Sequence, residues 1–230
     1  MRRTYVARAF DASAQYYDSI SRFMSFGTDC WYRRQTLLRA KLATGMVVLD
    51  VGCGTGLGAG AAREIVGPQG YVVGLDPSRA MLGEALERHR VHIGVRGIAE
   101  LLPIADNRFD LLCMSFALRH VSDLHRAFQE FQRVLKPGGV LLIVEMTPPR
   151  TSFFYWLLRF HLRYAVPLIT RLWSGSRVAQ DLYRYCWDTH DQCVPPDTIL
   201  AALQAVGFQE VKRWIDIGLF SEYTARKSAA

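Results

Sequence analysis

Lysine is scarce in this sequence: Lys41, Lys136, Lys212 and Lys227 are all it has, so the net charge of +7 is carried by arginine. Most of the arginines are scattered. A nucleic-acid face would gather them on one stripe, and its absence argues against a nucleic-acid partner. One run is different: between Glu145 and Asp181 lie Arg150, Arg159, Arg163, Arg171 and Arg177 and no acid. Cysteine is scarce as well. Cys30, Cys53, Cys113, Cys186 and Cys193 are odd in number and include no CxxC pair, which argues against a disulfide framework and a structural zinc site. A reducing compartment is the simplest reading. The opening "MRRTYVARAFDASAQYYD" has no apolar h-region, so no signal peptide is visible. The most apolar segment, 151–173, is broken by Arg159, His161, Arg163, Pro167 and Arg171 and is too polar to span a bilayer. Repeats and low-complexity runs are missing too. The protein is expected in the cytoplasm.

What remains is a chain of 230 residues, half of them apolar, enough for one sizeable core. Its centre alternates strand and helix patterns, predicting a mostly parallel sheet with helices on both faces. "MVVLDV" at Met46–Val51 reads as a buried strand, followed by a helix over Leu57–Val66 and a "GPQG" turn. "YVVGLD", ending at Asp76, is the second strand. Ser78 then caps a helix with Met81, Leu82, Ala85 and Leu86 on one face. His92–Val95 is a weak third strand and Phe109–Phe116 the fourth. Ser122 or Asp123 caps the clearest helix, with Leu124, Ala127, Phe128, Phe131, Val134 and Leu135 at helical spacing, and "KPGG" at Lys136–Gly139 should stop it. Val140–Glu145 is the fifth strand. A helix returns at Pro196–Val206, and two strands close the chain.

The strongest local signal is "LDVGCGTGLG" at Leu49–Gly58. A buried strand ends in an acid, and Gly52, Gly54, Gly56 and Gly58 follow. Glycines let the backbone turn sharply and approach a ligand closely, and the next helix offers its N-terminal amides. The dinucleotide fingerprint GxGxxG would need glycine at Leu57, so a nucleoside-like ligand without a pyrophosphate fits better. Asp76, at the end of the second strand, can accept both hydroxyls of a ribose. "FALRHVSD" at Phe116–Asp123 puts Arg119 and His120 at the carboxyl edge of the sheet, where ligands bind. Arg119 could stabilise an anion or pair with an acid such as Asp123. His120 could serve as a base or only close the turn. His125 reads as a surface residue. His190, Asp191 and Cys193 have no strong second pair of ligands, so no metal is expected.

"LDVGCGTG", "GLDPSRAML", "AELLP", "FDLLCMSFALRHVSD" and "RVLKPGG" together resemble the motifs of class I S-adenosylmethionine-dependent methyltransferases. "FDASAQYYDSISRFMSFGTDCWYRRQTL", "YRY" at Tyr183–Tyr185 and "LQAVGF" narrow the likeness to the ubiquinone/menaquinone biosynthesis C-methyltransferases of the UbiE type. The resemblance implies a Rossmann-like fold with a seven-stranded, mostly parallel sheet, an N-terminal helical lid over 1–40, a cofactor core over 46–145, a helical insert over 150–195 that caps the substrate, and a C-terminal helix and strands over 196–230. It implies S-adenosylmethionine as cofactor. Asp50, Gly52, Cys53, Gly54 and Gly56 would cradle the methionine part; Asp76 and Pro77 would lie at the ribose; Met81, Ala99 and Glu100 at the adenine; and Ser115 over the sulfonium. Tyr17, Met24, Ser25, Phe26 and Gly27 would belong to the lid, with Tyr17, Arg119 and His120 as catalytic candidates. The implied reaction is methylation of a ring carbon of a prenylated quinol or similar phenolic substrate. O- or N-methylation of another hydrophobic metabolite stays open, as does a cofactor-binding assembly partner without activity. The resemblance leaves room for a homodimer, and segment 151–173 for contact with the inner membrane. The chain departs from the family pattern at Ile98, where relatives carry Asp or Asn, at His120, where they carry Asn, and in "CWDTHDQCVPP" and "GLFSEY".

Overall fold

A computed structural model describes residues 2–146, 156–157, 160–175, 180, 194–216 and 220–229. The segments "YRY" and most of "CWDTHDQCVPP", with His190, Asp191 and Cys193, lie outside the described residues, as do parts of the expected insert and of "GLFSEY".

Seven strands form one sheet: β1 (Val47–Val51), β2 (Tyr71–Asp76), β3 (Ile93–Arg96), β4 (Phe109–Ser115), β5 (Leu135–Met146), β6 (Gln209–Asp216) and β7 (Phe220–Arg226). Their order is β3-β2-β1-β4-β5-β7-β6. Strands β1 to β5 run parallel, and β7 is antiparallel to both β5 and β6. β1, β2 and β4 are nearly unbroken apolar runs because a parallel strand is covered on both faces. The covers are α2 (Asp29–Arg39) and α3 (Leu57–Val66) on one side, packed on Val48, Val72, Leu111 and Leu142. On the other side lie α5 (Leu124–Val134) and α7 (Pro196–Ala205), where Phe128, Phe131, Ile199 and Leu203 meet Leu49, Leu112 and Ile143. α4 (Arg79–Glu87) packs beside β2 and β3. The expected mostly parallel, doubly covered sheet is the one observed.

The junction of α5 and β5 differs from the sequence expectation. The helix ends at Val134, and the strand begins at once, at Leu135, so "KPGG" lies inside the strand. It forms a bulge there: Phe109 pairs with Leu135, and the register then shifts so that Leu111 pairs with Val140. Gly138 makes this possible at φ +76°, and its N–H is taken up by the Lys227 carbonyl at 3.1 Å. A glycine pair signals a break in a helix, but it signals a bulge in a strand equally well.

Above the carboxyl ends of the strands lie α1 (Arg2–Met24) and α6 (Val166–Ser174), the latter continuing a π-helical turn over His161–Ala165. Ile20 and Val166 form a small apolar cluster with Tyr16, Tyr17 and Met24 of α1 and Met146 at the end of β5. α1 ends at the "MSFG" turn, where Gly27, at φ +79°, donates to the Arg22 carbonyl at 2.7 Å. His161 stacks on Phe26 of that turn, with ring centroids 4.7 Å apart. Among the described residues no helix is long and apolar enough to cross a membrane.

Candidate active site

The glycine loop is held from below. Gly52 and Cys53 both donate their N–H to the Leu75 carbonyl at 2.7 and 3.1 Å, which folds the loop over the end of β2. Gly52 has φ +69°, and a Cβ there would stand 2.7 Å from the Ala117 Cβ, so both conformation and space require glycine. Gly56, at φ +83°, precedes α3 and packs against Arg90 and Ala85. Around Gly54, by contrast, an added Cβ would meet nothing within 4 Å. The loop is therefore tight beneath and open above, as a cradle for a ligand must be. Cys53 is buried against Gly74, and burial raises its thiol well above the usual range, so it fills space and has no nucleophilic character.

The two strand-end acids divide the work. Asp76 accepts from Ser78 N–H at 2.8 Å with one oxygen and from Gly54 N–H at 2.9 Å with the other, which fixes it at the rim of the loop. Burial pushes its carboxyl up to about 6 against those two hydrogen bonds. Asp50 turns inward instead. It accepts from the Ala59 amide and the Cys113 thiol and lies beside the Arg33 guanidinium; burial lifts it to about 6 and Arg33 opposes the rise. Its side chain anchors the first turn of α3 rather than facing the cleft. That is why position 58 is glycine: a Cβ would stand 3.1 Å from an Asp50 oxygen.

Glu100 is buried and bonded to the segment that leads into α5. One of its oxygens accepts from both the N–H and the hydroxyl of Ser122, each at 2.8 Å, so it ties the loop after β3 to the start of α5. Asp123, rather than Ser122, caps that helix, accepting from Arg126 N–H. Ser78 caps α4 as expected, leaving Pro77 exposed and Met81 fully buried, and Ala99 is buried as well. Ser115 ends β4, and the chain then turns through Phe116 at φ +59°. The Phe116 ring receives the Arg33 guanidinium at 4.9 Å.

Arg119 is ion-paired, but not with Asp123. Its Nη1 lies 2.8 Å from Oε1 of Glu145 near the end of β5, and both side chains are almost wholly buried. His120 follows it, with its ring edge-on to Phe10 of α1 at 5.9 Å. Burial and the neighbouring Arg119 charge hold its imidazole down to about 3. At neutral pH the ring is neutral, because burial disfavours its charged form. His125 is exposed, as expected.

Sequence reasoning missed the acids of the lid. Asp11 accepts from the Ser78 hydroxyl and from Ala80 N–H at 3.1 Å, next to the Asp76 rim. Asp18 takes the Thr55 hydroxyl at 2.5 Å with one oxygen and pairs with Arg90 at 2.6 Å and Arg88 at 3.3 Å with the other. α1 is thus latched to the glycine loop and to the start of α4. The available signal was two acids in an otherwise basic opening. Tyr17 lies between them in sequence, in the roof cluster and close enough to Arg33 to interact with its charge.

A sequence profile of the ubiE/COQ5 methyltransferase family matches residues 1–224. The chain belongs to that family. This methyltransferase is similar to the ubiquinone/menaquinone biosynthesis C-methyltransferase UbiE of Escherichia coli, 36% identical over 215 residues, covering 90% of this chain and 83% of that one. It is likewise similar to a demethylmenaquinone methyltransferase of Geobacillus stearothermophilus, 33% identical over 215 residues, covering 90% and 89%. A solved SAM-dependent methyltransferase from Aquifex aeolicus shares the fold, with a TM-score of 0.67 at 20% identity over 94% of this chain and 98% of that one. The methyltransferase takes its methyl from S-adenosylmethionine. The loop fits that cofactor: open backbone at Gly54, and a buried acid at Asp76 fixed beside it.

Proposed function

We propose that this enzyme methylates a ring carbon of a prenylated benzoquinol or naphthoquinol. The observation that carries this reading is the buried Arg119–Glu145 pair, a charged couple at the carboxyl edge of β4 and β5 under an apolar roof. A phenolic ring needs such a place: its hydroxyl must give up a proton before the ring carbon becomes nucleophilic, while the rest of the molecule is greasy. The names of the relatives support the same substrate class.

In this reading Gly52, Gly54 and Gly56 receive the methionine part of the cofactor, Asp76 accepts from the ribose, and Met81 and Ala99 lie at the adenine. When bound, the cofactor supplies a methyl on a sulfonium. Ser115 and Tyr17 bracket that end of the cleft, and the roof of α1 and α6 excludes water and holds the ring in line for displacement, roughly 3–3.5 Å from the methyl. Arg119 stabilises the oxyanion as it forms. The test is incubation with S-adenosylmethionine and a short-chain 2-prenyl-1,4-naphthoquinone kept reduced. The expected product is heavier by one methyl on carbon, and methylation on oxygen, or none, would overturn the reading.

We also propose that the outer face of the roof rests on a membrane surface. Trp156, Phe160, Tyr164, Leu168 and Leu172 are half or more exposed, recur every four residues and are accompanied by Arg163 and Arg171. Such a face suits an interface of apolar tails and anionic headgroups and would bring the cleft to a prenylated substrate.

A further inference from the structure

We infer that Glu145 is the group that receives the substrate's hydroxyl proton. Three observations converge on it. The residue is 4% exposed, a depth at which a carboxylate normally has every oxygen engaged. One oxygen, Oε1, accepts from Arg119 Nη1 at 2.8 Å and from Met146 N–H at 2.9 Å. The other, Oε2, is equally buried and has no hydrogen-bond partner among the described residues. A half-engaged buried carboxylate is costly unless a donor arrives. Its place says which donor: Glu145 stands one residue from the carboxyl end of β5, at the edge of the sheet where ligands bind, and its partner Arg119 follows the end of the neighbouring β4. A hydroxyl brought to that edge supplies the missing donor.

The inference rests on the quinol reading above and assigns within it the group that accepts the proton. The hydroxyl O–H bond breaks and its proton forms a carboxylic O–H at Oε2. The oxygen's electron pair moves into the ring, with Arg119 beside the developing anion. The ring carbon forms its bond to the methyl as the sulfur–methyl bond breaks and the sulfur keeps that pair. The ring carbon then loses its hydrogen to water while Glu145 returns its proton to the oxygen. One proton is released to solvent in all, and the ring is aromatic again.

Glu145→Gln separates proton acceptance from positioning, because the amide oxygen can still hold Arg119 and the Met146 amide. With the reduced short-chain naphthoquinol as probe, turnover should fall by about 100-fold or more. Cofactor affinity by calorimetry should stay near wild type and the circular dichroism of the folded protein should be retained, with a lower melting temperature because Arg119 loses its countercharge. The acidic limb of the wild-type pH–rate profile should disappear. A more acidic, halogen-substituted quinol, which needs less help to ionise, should narrow the gap between variant and wild type. Turnover within about 2-fold of wild type with an unchanged pH profile would overturn the inference. So would a loss of activity that follows lost folding or cofactor binding and ignores substrate acidity, since Glu145 would then only position Arg119. If Glu145→Gln does not fold, Glu145→Asp keeps the charge and withdraws the oxygen by one methylene; a folded variant with undiminished turnover would equally sink the idea. Failure of the wild-type enzyme to methylate any quinol is a different result, and it counts against the proposed function.

Discussion

At the scale of single residues, burial matters more than residue type. His120 has an ordinary pKa near 6.5 and is held at about 3. Between those values the unfolded chain binds a proton at this position that the folded chain does not. The residue's contribution to stability is therefore present above pH 6.5 and is lost as the pH falls through that window towards 3. Relative to His120→Asn, the wild-type protein should lose about 2–3 kcal/mol between pH 7 and pH 4.5, read from urea unfolding at the two pH values. A constant difference would show that the ring is not desolvated. The same scale marks where sequence reading ended. Asp50 and Glu100 stand in recognisable motifs, but the direction of each carboxylate depends on distant partners, Arg33 and Cys113 for one and Ser122 for the other. Arg119 shows the same limit: a nearby acid at Asp123 was visible, and the true partner came from the next strand.

At the scale of elements, the loop and the lid are the parts to perturb. Gly52→Ala places a Cβ 2.7 Å from Ala117 at φ +69°, which the loop can accommodate only by moving. We expect a loss of about 1–3 kcal/mol and a cofactor dissociation constant raised at least about 10-fold, measured by unfolding and calorimetry. Unaltered cofactor binding would mean that the loop is not the cradle. Asp18→Asn weakens the latch to Thr55, Arg88 and Arg90 and leaves the core untouched. It should quicken cofactor release by about 10-fold in stopped flow and expose α1 to limited proteolysis, with little change in melting temperature. Equal protease resistance in the variant would place the hold on α1 elsewhere. Elements with strong periodicity, α5 and α3 among them, were legible from sequence. The β5 bulge was not, because "KPGG" carries the same composition whether it ends a helix or kinks a strand.

At the scale of the whole molecule, the strand–helix alternation and the glycine loop were enough to read the architecture, since parallel strands must be covered on both faces and their ligands sit at one edge. The roof was not legible in the same way, because exposed and buried aromatics look alike in a sequence. Its outer stripe makes a further prediction: the protein should cosediment with vesicles containing anionic lipid, less so at high salt. The double variant Tyr164→Glu, Leu172→Glu should bind at least about 10-fold more weakly, because a carboxylate at either position opposes both the apolar contact and the headgroup charge. Retained binding would point to another surface.

The latch between α1 and the rest has a consequence for how the chain is made. Asp11 reaches Ser78, 67 residues later in sequence, and Asp18 reaches Thr55, 37 residues later. At ribosomal speeds of about 5–20 residues per second, the first helix waits roughly 3–13 s for its more distant anchor to be synthesised. A helix needs only about a microsecond to form, so α1 spends that interval formed or fraying, with Ile20 and its other apolar contacts still to find their cover. Helix α1 can therefore complete its latch only after the chain through Ser78 has emerged, and a nascent chain halted before residue 78 should leave it open to limited proteolysis.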